Sequence, residues 1–217
     1  MAGILAIWND VAPEGYARYE GWFIREHLQE RVGVPGFRFG RRYEAVSADR
    51  RMFAYYEVDS PAVLTTGDYV QRLENPTPWT REVMQSFRGM VRTVCELTAT
   101  AGDLIGSHAV ILRAEDSITA GPGVQALISE LASGEGIARA QLWTAARQQT
   151  KADTAEMKVR GPDKLIAGAF VVECLRLADA ERMAKSLTTP PPELGITGAR
   201  TIGIYRLLCI YPKPASA

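Results

Sequence analysis

Gly21-Trp22-Phe23-Ile24-Arg25-Glu26-His27-Leu28-Gln29-Glu30-Arg31 holds one of only two histidines among 217 residues, and it reads as part of a single helix. Successive residues of an α-helix turn by about 100°. With Tyr16 set at zero, Phe23 falls near ~340°, His27 near ~20°, Glu30 near ~320° and Glu20 near ~40°. The histidine therefore shares a face with the aromatic residues, the face that meets the rest of the fold. A side chain that titrates near neutrality, set in an aromatic stripe with carboxylates in reach, is either a satisfied core histidine or a pocket base.

Upstream, Ile4 to Trp8 is a short apolar run that stops at Asn9-Asp10 and reads as a buried strand. Pro13 suits the first turn of the helix, which runs to Val32 and ends at Gly33 with Pro35 beyond. Gly36 to Ala45 alternates, with Phe37, Phe39, Arg41 and Tyr43 on one face. After the polar turn at Ser47 to Arg50, Met52 to Val58 is a second strand, so the two form a hairpin. Ser60-Pro61 is expected to open another helix, reaching Leu73. Asn75 to Thr80, with prolines at 76 and 78, is expected to be irregular. A short helix from Thr80 to Phe87 and a strand from Val91 to Ala99 complete a β-α-β-β-α-β order.

The order then restarts after Thr100 to Asp103. Strands are expected at 107–114, 137–146, 165–177 and 201–211, with helices at 123–132 and 179–187. Gln148 to Gly161 reads as a polar loop, as does Thr188 to Glu193 with its three consecutive prolines. The expected fold class is α+β: two ferredoxin-like βαββαβ units, 1–101 carrying the candidate site and 102–217 as scaffold, forming a pseudo-dimeric α/β barrel.

Composition narrows the function classes. Twenty-five basic and twenty-five acidic side chains balance, so no global field favours nucleic acid or an anionic membrane. Cys95, Cys174 and Cys209 lie in apolar runs without metal-ligand spacing, and read as small hydrophobes. No apolar run approaches the ~20 residues of a membrane span. No signal-type segment opens the chain, and a cytoplasmic location is expected. No phosphate-cradling glycine motif or nucleophile elbow occurs, and neither a metal nor a cofactor is expected.

The candidate catalytic residues are His27, Glu30 and Glu57. Glu30 stands one turn from His27, and Glu57 interrupts an aromatic strand where an unpaired carboxylate is costly. Each also has a structural reading, as a packed histidine, a surface acid or an ion-pair member. Candidate substrate-binding residues are Trp8, Asp10, Phe23, Arg41, Tyr43, Tyr56, Trp79 and Arg92. Trp79 could cover a pocket mouth or plug the core, and an arginine could hold a carboxylate in a bidentate contact. His108 lacks comparable company.

The run Trp22 to Arg31, followed by Val34-Pro35-Gly36-Phe37 and Arg41-Arg42-Tyr43, resembles the helix-one signature of EthD-like proteins in the dimeric α/β-barrel superfamily. Gln29 stands where that pattern often has proline. The resemblance covers residues 3–97; the second half resembles only the order of elements. It implies fused ferredoxin-like units with a small-molecule cleft between sheet and helices. It also implies cofactor-independent chemistry such as isomerisation, cyclisation, dehydration, decarboxylation or oxygenation of electron-rich rings, with His27 as general acid/base. The leading expectation is a cofactor-free lyase or isomerase acting on a small organic acid or aromatic catabolite. A non-catalytic ligand-binding or stress-associated barrel is the rival, and a haem-binding barrel using His27 or His108 a third reading. A homodimer is compatible with each.

Overall fold

The computed structural model describes residues 1–147 and 153–213. Eight strands close into one antiparallel barrel in the order β1-β3-β2-β8-β5-β7-β6-β4. They are β1 (Gly3–Val11), β2 (Phe37–Ser47), β3 (Met52–Val58), β4 (Phe87–Ala101), β5 (His108–Ala114), β6 (Ile137–Ala145), β7 (Gly168–Cys174) and β8 (Arg200–Pro212). The α+β class is thus observed, and the seams β2–β8 and β4–β6 join the two halves of the chain.

Helices clothe the outside. Residues 13–32 form one rod: a 3-10 turn, α1 (Tyr16–Trp22), a π-helical turn (Phe23–His27) and α2 (Leu28–Val32). Its buried residues include Tyr19, Trp22, Phe23, Leu28 and Val32, which pack on the outer face of β1 to β4. Each such side chain contributes about 1.5–3 kcal/mol by leaving water. Gly40 on β2 lets α2 approach, since a Cβ there would stand 2.7 Å from the Leu28 side chain. On the far side α5 (Val124–Ala132) and α7 (Leu177–Ser186) cover β5 to β8 with a second apolar cluster. A third cluster, including Trp8, Tyr43, Phe53, Tyr55, Trp143 and Tyr205, fills the barrel itself.

Several boundaries differ from the sequence reading. Ser60-Pro61 opens only a 3-10 turn; the cap of α3 (Gly67–Glu74) is Thr66, whose hydroxyl accepts the Tyr69 N–H. The Asn75 to Thr80 segment is not irregular throughout, because α4 (Pro78–Met84) begins inside it. Thr77 caps that helix, and Pro78 occupies the first turn, where a missing N–H costs nothing. A bulge between Phe37 and Phe39 turns Phe37 outward, so it does not share a face with Arg41 and Tyr43. Within Gln148 to Gly161 the described part includes a helix, α6 (Ala155–Arg160), instead of loop; residues 148–152 lie outside the described residues. Among the described residues no helix is long and apolar enough to cross a membrane.

Candidate active site between the first helical rod and the sheet

The π-helical turn determines the position of His27. Leu28 N–H bonds to the Phe23 carbonyl, an i→i+5 closure. Residues five apart in a regular α-helix diverge by about 140°. The wider turn instead brings Trp22 and His27 together, with ring centroids 4.2 Å apart and planes 30° apart. Phe23 lies against the imidazole at 5.3 Å and Tyr56 edge-on at 6.3 Å. Trp22 is fixed in turn, since its indole N–H donates to Thr80 Oγ1 at 2.9 Å. Thr80 and Thr77 both donate to Glu26, at 3.0 and 2.6 Å.

His27 opens onto a cavity of about 30 Å³. Apolar walls come from Leu5, Phe23, Ala54, Met84 and Phe87, and polar ones from Arg31, Tyr56, Arg92 and Glu156. Burial, then the charges of Arg31 and Arg42, hold the His27 pKa well below its ordinary near-neutral value, so the imidazole is neutral at pH 7. Burial raises the Tyr56 phenol far above its usual range, so that group stays protonated. His27 Nδ1, Arg31 Nη1 and the Tyr56 hydroxyl are all buried without a hydrogen-bond partner. Around one apolar hollow stand an imidazole nitrogen, a cationic donor and a phenolic donor.

The roof comes from the other half of the chain. Between β6 and β7, α6 packs against α3 and α4. Its Glu156 forms a buried ion pair with Arg31. Arg92 donates to the Tyr69 hydroxyl at 2.9 Å and stands 3.6 Å from Asp163, which also pairs with Arg160. Sequence reading missed Arg31, Glu156 and Arg160. A polar stretch 125 residues away in the chain gave no sign that its carboxylate would be buried against Arg31.

The residues expected to form one site occupy several places. His27, Phe23, Tyr56 and Arg92 line this cavity. Trp8, Arg41 and Tyr43 project into the barrel from the opposite face of the sheet; Trp8 stacks on Phe53 at 4.9 Å, and Arg41 pairs with Glu173 at 2.7 Å. Asp10 sits at a strand end, accepting the Arg51 N–H at 2.8 Å. Trp79 packs beside Gly21 under the Arg18 guanidinium, 4.8 Å away, outside the cavity. Neither expected carboxylate orients His27. Glu30 lies 3.9 Å from Arg72, and Glu57 accepts from Arg38 at 3.0 Å on the barrel side.

A haem does not fit these residues. The cavity admits about two waters, and the interlayer space around His27 is occupied by the aromatic core. His108, at the start of β5, has its Nδ1 2.8 Å from Ser107 Oγ and lies outside that cavity. Among the described residues no three His, Cys, Asp or Glu side chains are placed to hold a metal ion.

No family model matches the chain, and no curated protein matches it. Solved structures do. An anthrone oxidase-like protein is similar over 100% of this chain and 96% of its own, with 11% identity and a TM-score of 0.60. A candidate monooxygenase from Fusobacterium nucleatum subsp. nucleatum is similar over 98% and 95%, with 11% identity and a TM-score of 0.61. Chlorite dismutase from Candidatus Nitrospira defluvii, in complex with imidazole, is similar over 94% and 90%, with 10% identity and a TM-score of 0.50. These neighbours are named as enzymes, in keeping with the expectation of an enzyme. Their names are those of oxidative or dismutating proteins, which overturns the expectation of a lyase or isomerase. The geometry gives a physical reason for that correction. The expected mechanism relied on a carboxylate to orient His27, and both carboxylates expected beside it are engaged elsewhere. At this level of identity the likeness establishes the fold alone: a closed eight-stranded antiparallel barrel clothed by helices.

Proposed function

We propose that the protein is an oxidase or monooxygenase of a small electron-rich aromatic, one that carries a phenol or an enolisable ketone. The observation that carries this reading is the trio of unpartnered buried groups, His27 Nδ1, Arg31 Nη1 and Tyr56 Oη, around an aromatic-walled hollow. The neutral imidazole takes a proton from the substrate. Arg31 and Tyr56 donate to the oxygen on which negative charge develops, and each such donor in a dry site lowers the barrier by about 2.7–4 kcal/mol. Forming an imidazolium between two guanidiniums is unfavourable alone, but the substrate anion arises in the same step and offsets it. The resulting carbanion or phenolate is the electron-rich species that dioxygen attacks. For a methylene carbon the balance is R2CH2 + O2 → R2CO + H2O, which requires no further reductant. The names of the structural neighbours support an oxidative reaction and not its substrate.

The hollow is smaller than any aromatic ring, so entry requires α6 to swing away, exchanging the Arg31–Glu156 pair for Arg31 with substrate. The strand order β4-β1-β3-β2 followed by β8-β5-β7-β6 supports two ferredoxin-like units, 1–101 and 102–217. In that arrangement the second unit does more than scaffold the first, since it supplies α6.

Anaerobic mixing with a phenolic anthrone, followed by admission of oxygen, tests the reading. Expected are a bathochromic phenolate band before oxygen and one O2 consumed per quinone afterwards, with His27→Gln losing both signals. Turnover undiminished in His27→Gln would overturn it.

A further inference from the structure

The barrel interior holds a second polar cluster that the site at His27 does not use. On β6, Arg139 and Gln141 alternate with outward-facing Ala140 and Leu142 and project into one end of the barrel. Gln141 is 1% exposed, yet neither its amide nitrogen nor its amide oxygen has a partner. Among the described residues Arg139 forms no ion pair, and its buried Nε is also unpartnered. Both side chains line a hollow of about 280 Å³, together with Glu57, Leu97, Asp103 and the backbone of 100–102.

The other charges at this end are already engaged. Glu57 accepts from Arg38 at 3.0 Å. Glu173 accepts from Arg41 at 2.7 Å and from the Gly106 N–H at 3.1 Å. Among the described residues at this end the cation left over is Arg139, and Asp103 lies at the rim, exposed to solvent screening. A half-buried guanidinium without a carboxylate, beside an amide with a free donor and a free acceptor, is chemically complementary to an acid group with a neighbouring donor. Leaving both amide atoms dry and unpaired would cost about 1–3 kcal/mol for each group.

We propose that this barrel mouth binds a small carboxylate that carries a hydroxyl or amino group on the adjacent carbon. Arg139 takes the carboxylate, the Gln141 amide nitrogen donates to it, and the Gln141 oxygen accepts from the ligand's hydroxyl or amine. The mouth lies on the opposite face of the sheet from His27, so this site stands apart from the proposed oxidation.

Thermal unfolding with sodium glycolate, glycine, sodium acetate or sodium chloride at matched ionic strength tests it. Glycolate or glycine at ten times its Kd is expected to raise Tm by about 3–6 °C with saturation, and acetate, lacking the second donor, by less. Arg139→Met should abolish the response, Gln141→Leu should level glycolate with acetate, and His27→Gln should keep it whole. If Arg139→Met fails to fold, amide NMR shifts in the wild-type protein decide, with saturable changes expected at 100–103 and 139–141. No saturable effect of glycolate or glycine on Tm or on those amides overturns the proposal, as does a full response surviving in Arg139→Met.

Discussion

Trp22 and His27 lie face to face, 4.2 Å apart, five residues from one another along a helix in which such residues ordinarily point different ways. The imidazole is kept neutral by burial and by Arg31 and Arg42. In the unfolded chain it takes up a proton below its ordinary pKa of about 6.5. The unfolded state then binds more protons than the native one, so stability is complete above that pH and is lost as pH falls toward the depressed native value. Urea unfolding at pH 7.5 and pH 5 should show a smaller loss in His27→Gln than in the wild type. Equal losses would mean that the histidine is not the titrating group.

Arg31 and Glu156 are both buried, and each neutralises the other. Arg31→Met strands a carboxylate and should lower unfolding free energy by about 3–5 kcal/mol. The double variant Arg31→Met with Glu156→Met should recover most of that loss. Additive losses in the double-mutant cycle would show that the two side chains do not act as a pair.

Glu156→Gln weakens the hold of α6 without emptying the space. Hydrogen exchange across residues 155–160 should quicken by about tenfold, the factor that ~1.4 kcal/mol supplies. Exchange in β1 and β3, beneath the cavity, should stay as it is. Exchange rising equally in α6 and the strands would indicate global destabilisation instead of a local opening.

Glu173 is fully buried inside the barrel against Arg41. Glu173→Leu should cost about 3–5 kcal/mol through the stranded guanidinium. Because that pair is on the barrel side of the sheet, the proton affinity of His27 should not change. A displaced His27 titration, followed by imidazole NMR signals, would refute this separation of the two faces.

The first half of the fold was legible from alternation, helix punctuation and the Pro-Gly turn after Val34. The faces were less so. Met52 to Val58 is buried throughout, so its alternation distinguishes two buried sides without saying which meets helices and which meets the barrel. Tyr55 and Tyr56 consequently belong to different cores. Trp8, Arg41, Tyr43 and Glu57 were grouped with His27 for that reason. The π-helical turn was illegible because a wheel drawn at 100° per residue presumes regular winding. Even so, Phe23 and His27 meet as that wheel implied, since residues four apart remain neighbours in either winding. Buried Glu156 on α6 depends on a cation contributed from the far end of the sequence, which local pattern does not register.

The barrel closes through β2–β8 and β4–β6 within a single chain. Among the described residues every strand has a neighbour on both sides over at least part of its length, so the barrel presents no edge strand to recruit another. A second copy of the protein could therefore not extend the sheet; it would have to meet the helices or the connecting loops. Association of that kind would reach the polar hollows only through what borders them, α6 at the one and residues 100–103 at the other.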